Sequence, residues 1–346
     1  LTCCSGIICT AEGQNKNRHY VKNRIMTTDD GNSFREKVLY YDNFGKHTET
    51  VQVGASPQGK DLHFTFGYDI LDRPVGESLP LPDGNRNYYG DAYYYSGCVY
   101  GNSSLNRIRE TYGPGAAWIE NGKSVKTEYL INADSGELSC AEFRAEDNGE
   151  DVRLIRSGLY AAGELSVART TDEDGKVVYT FTDFEGKLLL TRRMNGTEPH
   201  DTYIVYDDRG RKRIVLPPLA ADELTATASW GCNSSEVIKK YGYVYRYDGR
   251  DRVIEKKLPG CDPVHFVYDR SDRLILKQNG NNRKDGVWQY YQYDGLGREV
   301  IWGVLPSSTG REDWEVIFRD TVCCERFIGL GQDGNFGYTN TAAFNE

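Results

Sequence analysis

One five-residue spacing recurs along this chain and constrains its fold more than any other feature. The passages are "YYDNFGK" at Asp42, "GYDILDR" at Asp69, "FTDFEGK" at Asp183, "VYDDRGR" at Asp207, "RYDGRDR" at Asp248, "VYDRSDR" at Asp269 and "QYDGLGR" at Asp294. Each reads Asp-x-x-[Gly/Asp]-[Arg/Lys], with Gly45, Gly186, Gly210 and Gly297, or Asp72, Asp251 and Asp272, in fourth place. Glycine and, less readily, aspartate tolerate a positive φ. A three-residue hairpin loop, a type I turn followed by one left-handed residue, needs that property at that place. The Asp and the Arg or Lys (Arg73, Arg211, Arg252, Arg273 and Arg298 among them) then flank the turn as a cross-strand pair. Such a pair contributes roughly 0.2–1 kcal/mol. The charges thus have a structural role before any catalytic one is considered.

Strands entering these turns alternate with period two, as half-buried strands do. Tyr243, Tyr245 and Tyr247 share a face, as do Val264, Phe266 and Tyr268, and Phe64, Phe66 and Tyr68. The spacing predicts an aromatic core side and an opposite side carrying Arg246, Asp248, His265, Asp269, Gln292 and Asp294. Tyr41, Tyr206 and Tyr293 take the same place before their aspartates. Glu299 falls on the aromatic side opposite Tyr293, so the returning register is left open. Asp248, Asp269 and Asp294 lie 21 and 25 residues apart, one hairpin plus its connection. A unit that small cannot bury its apolar face alone, so neighbours must stack.

The expected fold is therefore all-β, an array of antiparallel hairpins in one curved, spiralling sheet with one or two short helices. Composition agrees: 25 tyrosines, 37 glycines and 2 methionines suit short strands joined by tight turns. The helix signal is Leu219–Thr227, after Pro217 and Pro218, within an insert near 216–241. Turns at Asn121-Gly122, Ser135-Gly136 and Asn148-Gly149 predict further hairpins. Residues 1–160 form an N-terminal β-region with two such repeats, 161–302 the main array, and 303–346 an irregular segment. Residues 1–30 read as an irregular lead-in or an edge strand.

A net charge of −9 argues against nucleic acid as partner. No apolar run is long enough to span a membrane. None of the nine cysteines forms a C-x-x-C pair, and the five histidines lack ligand spacing, so no metal or cofactor is expected. The dispersed cysteines predict free, buried thiols, with one or two bridges as the alternative in an exported protein. "TDEDGK" at Thr171–Lys176 lacks EF-hand spacing and predicts a turn at Asp174-Gly175. Tyr88, Tyr89, Tyr93, Tyr94 and Tyr95 are the candidate ligand surface, because exposed tyrosines stack on sugars and anchor interfaces. Packing between hairpins is the competing explanation. A glycosidase carboxylate pair is conceivable, but no local spacing selects one.

The Tyr-Asp-x-x-Gly-Arg passages resemble the RHS/YD-repeat family, most specifically over 183–302. "ETYGPGAAWIENGKSVKTEYLIN" (110–132) and "KKLPGCDPVHFVYD" (256–269) look like RHS-repeat proteins of Bacteroidetes. The resemblance implies a hairpin strip that spirals into a hollow shell, enclosing a C-terminal toxin in some members and serving surface adhesion in others. The family's self-cleaving Asp-Pro-x-Gly end is not recognisable, and the last residues, "GLGQDGNFGYTNTAAFNE", stand where further repeats are expected. The expectation is a non-catalytic structural or interaction protein, outside the cell or on its surface. Its partners are further YD repeats of the same polypeptide or of another protein. The alternative is a glycan-binding module using the exposed tyrosines, with a glycoside hydrolase a distant third.

Overall fold

A computed structural model describes residues 7–10, 18–28, 33–90, 93–149, 151–330 and 336–339. The chain forms two compact units, Leu1–Tyr129 with Ala168–Val178, and Leu130–Val167 with Tyr179–Glu346. Both are built almost wholly from antiparallel hairpins.

In the first unit, strands His19–Met26, Phe34–Tyr41, His47–Gln52, Leu62–Tyr68, Pro74–Ser78, Tyr95–Tyr100, Ile108–Tyr112 and Val125–Ile131 pair in chain order. Ile7–Thr10 adds to His19–Met26. The region 1–30, expected as an irregular lead-in or one edge strand, thus contributes two strands. In the second unit, Leu188–Asn195, Glu198–Tyr206, Lys212–Leu216, Tyr243–Tyr247, Val253–Lys257, Val264–Tyr268, Leu274–Gln278, Val287–Asp294 and Glu299–Pro306 pair consecutively. A separate sheet joins Ala141–Asn148, Asp151–Leu159 and Ser229–Gly231. Cys324–Glu325 makes a short parallel pairing with Tyr293–Asp294.

The open register resolves through a bulge. Tyr268 pairs with Leu274, yet Val267 pairs with Leu276, so Ile275 is an extra residue on the returning strand. Tyr293 pairs with Glu299 and Gln292 with Ile301 in the same way. The inserted residue lets Ile275 and Leu276, adjacent in sequence, both be fully buried.

Which face is the core corrects the expectation. Val205, Val244 and Val267 are buried, and Asp269 and Gln292 on that same side are 0% exposed. The tyrosine side is only half-buried. The aspartates tolerate the interior because the amides and arginine of their own turns supply most of their hydrogen bonds.

Five helices occur among the described residues, exceeding the expected one or two: α1 Ala116–Ile119, α2 Pro218–Glu223, α3 Glu236–Tyr241, α4 Gly280–Lys284 and α5 Arg311–Phe318. α2 is shorter than Leu219–Thr227, ending at Leu224 before β-branched Thr225 and Thr227. Ser235 caps α3 by accepting the Ile238 amide at 3.4 Å. α5 seats Trp314 and Phe318, one helical turn apart, on Val267, Ile275 and Trp288. Residues 303–346, expected to be irregular, therefore hold a helix that closes the core. Of the three Asx/Ser-Gly turns, Asn148-Gly149 joins a tight hairpin, Asn121-Gly122 lies after α1 in the connection between the antiparallel strands Ile108–Tyr112 and Val125–Ile131, and Gly136 opens a 3-10 turn.

Candidate functional site

The turn aspartates, arginines and tyrosines form the most extensive polar constellation in both units. All seven fourth-position residues have positive φ: 81° at Gly45, 64° at Asp72, 84° at Gly186, 75° at Gly210, 62° at Asp251, 63° at Asp272 and 77° at Gly297. In the Asp248 turn, the Asp251 amide donates to the Asp248 carbonyl at 3.2 Å and the Asp248 amide to the Arg252 carbonyl at 3.0 Å. Those two bonds define the three-residue loop.

Each aspartate is more than a cross-strand charge. Asp248 Oδ1 accepts the amides of Arg250 and Arg252 at 2.9 Å each, while Oδ2 accepts Arg252 Nε at 2.6 Å. Asp69, Asp207, Asp269 and Asp294 repeat this set with Arg73, Arg211, Arg273 and Arg298. Burial raises the pKa of Asp207 and Asp248, but the backbone amides and guanidinium groups outweigh it and hold both below the usual carboxylate range.

The lysine turns depart from the expected pairing. Asp42 and Asp183 keep their two amide donors, yet Lys46 pairs with Asp72 and Lys187 with Glu185. A guanidinium can satisfy its own aspartate through Nε and still reach elsewhere through Nη1; a single ammonium cannot.

That second reach links one turn to the next. Arg211 Nη1 donates to Asp251 at 2.8 Å, Arg252 Nη1 to Asp272 at 3.0 Å and Arg73 Nη1 to Asn106 at 3.3 Å. The fourth-position Asp is thus the acceptor for the preceding turn's cation as well as a residue tolerant of positive φ. The same cations lie over the next tyrosine ring: Arg73 over Tyr100 at 4.3 Å, Arg211 over Tyr247 at 5.1 Å, Arg252 over Tyr268 at 5.0 Å and Arg273 over Tyr293 at 5.3 Å.

Each tyrosine hydroxyl completes the link by donating to the carbonyl five residues after the preceding repeat's aspartate. In the first unit Tyr68 reaches His47 at 2.8 Å and Tyr100 reaches Pro74 at 2.9 Å. In the second, Tyr247 reaches Lys212, Tyr268 reaches Val253 and Tyr293 reaches Leu274, at 2.8–2.9 Å. Tyr206 occupies the equivalent place in Glu198–Tyr206, and Tyr41 that in Phe34–Tyr41.

Sequence reasoning missed several members. Ser56–Lys60 and Asp172–Lys176 form the same loop, with Gly59 at φ 72° and Gly175 at φ 80°. An alignment keyed to aromatic residues skipped both; the x-x-Gly-Lys spacing alone would have found them. The second contains the turn expected at Asp174-Gly175. A longer, degenerate turn runs from Gly101 to Arg107, with Asn106 at φ 51°. Tyr129 continues the ladder by donating to Ile108 at 3.0 Å beneath Arg107.

The candidate ligand tyrosines form edge-on pairs: Tyr88 with Tyr89 at 5.1 Å and Tyr94 with Tyr95 at 6.1 Å, with Tyr93 6.5 Å from Tyr95. Tyr88 is 57% exposed, while the Tyr89 hydroxyl donates to the Pro80 carbonyl at 2.7 Å. Cys140, Cys232 and Cys323 are free and buried, and burial pushes the first two thiols up to about 12 and the third up to about 11. Cys261 and Cys324 are exposed, contrary to the expected burial, and Cys98 is half-buried. Cys3 and Cys4, like the Cys9 side chain, lie outside the described residues.

A family model described as a domain of unknown function, DUF6443, matches residues 14–131. The crystal structure of TcdB2-TccC3-Cdc42 aligns with a TM-score of 0.53 at 12% identity, over 92% of this chain and 16% of that one. That of TcdB2-TccC3 without its hypervariable C-terminal region aligns at 0.52 and 13%, with the same coverage. The chain therefore spans 16% of the length of these structural relatives and shares their fold. No curated protein sequence matches it. Turn motif, family match and fold together support an RHS/YD-repeat-like relationship.

Proposed function

We propose that this chain is a non-catalytic scaffold, a section of YD-repeat wall outside the cell or on its surface. The observation that carries this reading is the use made of the repeat carboxylates. One oxygen of each caps its own turn, and in the turns of Asp69, Asp207, Asp248 and Asp269 the other holds the arginine that stacks on the next tyrosine. A carboxylate so engaged is a poor general acid or base, because proton transfer would break the turn.

The partners are further YD hairpins, of the same polypeptide or of another protein. Arg298 has the most exposed side chain of the repeat arginines, 59% against 14–19% for Arg73, Arg211, Arg252 and Arg273. Trp302 and Val304 on Glu299–Pro306 are also exposed. A following hairpin would set its tyrosine under Arg298 and donate to the Glu299 carbonyl. The likeness of 110–132, which overlaps the matched domain, to RHS-repeat proteins of Bacteroidetes supports a wall of that type. Electron cryomicroscopy of the longest natural polypeptide containing this chain tests the reading. Hairpins continuing from Glu299–Pro306 are expected, and that edge standing in solvent would overturn it.

The exposure of Tyr88, Tyr89 and Tyr95 favours a second reading, glycan binding at that cluster. A glycan array bound by the wild type and lost in Tyr88→Ala with Tyr95→Ala would establish it; an array without signal would remove it.

A further inference from the structure

We propose that the cavity around Lys257 binds a tetrahedral oxyanion, free or carried as a phosphate or sulfate group on a small molecule. The cavity, about 500 Å³, lies in the second unit between α3 and the loop 258–263. Lys239, Lys240, Lys257 and Asn233 line it, against Glu236 and Asp262.

Lys257 is the group that calls for a ligand. It closes strand Val253–Lys257, opposite Val244, and is only 8% exposed. Among the described residues its ammonium has no hydrogen-bond or ion-pair partner. Asp151 and Glu255 attract it without pairing with it directly: Asp151 Oδ1 accepts the amides of Val152 and Asn233 at 2.7 and 3.0 Å, and Glu255 pairs with Arg246 and His265. Cys232, also close by, holds a thiol pushed up to about 12 and supplies no thiolate. Burial, with the Lys239 charge adding to it, lowers the Lys257 pKa.

A largely covered cation with no direct hydrogen-bond or ion-pair partner gains from an anion entering the cavity. The rim can follow. Lys239 now pairs with Glu236 at 2.9 Å and Lys240 lies over Tyr241, both near-surface contacts that a bound dianion can outcompete. An adjoining cavity of about 510 Å³ shares Gly260, Cys261 and Asp262 and adds Lys277 and Lys284. A chain of net charge −9 thus gathers five lysines around one loop. The volume exceeds that of a bare ion, which leaves room for a sugar or similar group behind the oxyanion.

Titration calorimetry and thermal unfolding of the full chain test this, with inorganic phosphate, inorganic sulfate, glucose 6-phosphate and glucose 6-sulfate as probes and neutral glucose as control. The wild type is expected to bind at least one anion and to melt higher in its presence. Lys257→Met should weaken binding by about tenfold or more, whereas Lys257→Arg should retain it within a few-fold. Without ligand, Lys257→Met should melt close to the wild type, because the charge it removes makes no direct hydrogen bond or ion pair. Tighter binding of the sugar esters than of the free ions assigns the anion to a larger molecule, and equal binding assigns it to the free ion. Binding of none of the four, or equal binding by wild type and Lys257→Met, overturns the proposal.

Discussion

Asp207 holds the densest junction of the turn stripe, and its loss should be felt well beyond its own loop. Its Oδ1 accepts the Arg209 amide at 3.1 Å and the Arg211 amide at 2.9 Å; its Oδ2 accepts Arg211 Nε at 2.8 Å and Arg213 Nη1 at 3.2 Å. The Asp207 side chain is 4% exposed and that of Arg213 1%. Asp207→Ala leaves Arg213 with the exposed Asp147 and the Tyr245 carbonyl, and Arg211 with Asp251. Breaking the buried pair costs about 3 kcal/mol. The two turn amides, close to solvent, add about 1 kcal/mol, for a total of about 4 kcal/mol. Asp207→Asn keeps the oxygen that faces the amides but turns an NH2 group towards two guanidinium groups, for about 2–3 kcal/mol. Asp208→Ala, in the same loop but outside the network, should stay within about 0.5 kcal/mol. Urea unfolding followed by tryptophan fluorescence measures all three. Hydrogen exchange at the Arg209 and Arg211 amides separates them, since protection should survive in Asn and vanish in Ala. An alanine variant within about 1 kcal/mol of wild type, or equal exchange in Ala and Asn, would refute the reasoning.

The tyrosine ladder can be cut at one bond. Tyr268→Phe removes the donation to the Val253 carbonyl but leaves a ring under Arg252, and should cost about 1 kcal/mol by urea unfolding. Gly297 has φ 77° and open space where a Cβ would sit, and Arg273 Nη1 now donates to the Asp294 carbonyl at 3.4 Å. Gly297→Asp should therefore recreate the link seen at Asp251 and Asp272 and be more stable than Gly297→Ala by about 1 kcal/mol. Equal stabilities would show that the fourth-position carboxylate adds nothing. Asp207 and Asp248 are held below their usual pKa, so their contribution is complete above pH about 5 and lost as pH falls through the folded values. Unfolding midpoints should be flat from neutral pH down to about 5 and fall below it; midpoints that rise on acidification below pH about 5 would contradict this sign.

The turns were legible because they are local. Five residues decide the left-handed φ at Asp251, and the short side chain of Asp248 reaches the amides of its own loop. The antiparallel array followed from repeating that unit. Period two separated Tyr268 from Val267 and Asp269, but alternation cannot say which side meets the core. That depended on α5, whose Trp314 and Phe318 arrive from some fifty residues downstream to cover Val267. The bulge at Ile275 was equally hidden, since one extra residue leaves no mark in a pattern of apolar positions. Lys257 sits in "IEKKLPG" like any strand-end lysine; only the folding of Cys232, Asp151 and α3 around it covers its side chain. Local stereochemistry determined the repeating unit, whereas long-range packing decided which of its faces, and which of its charges, were taken out of water.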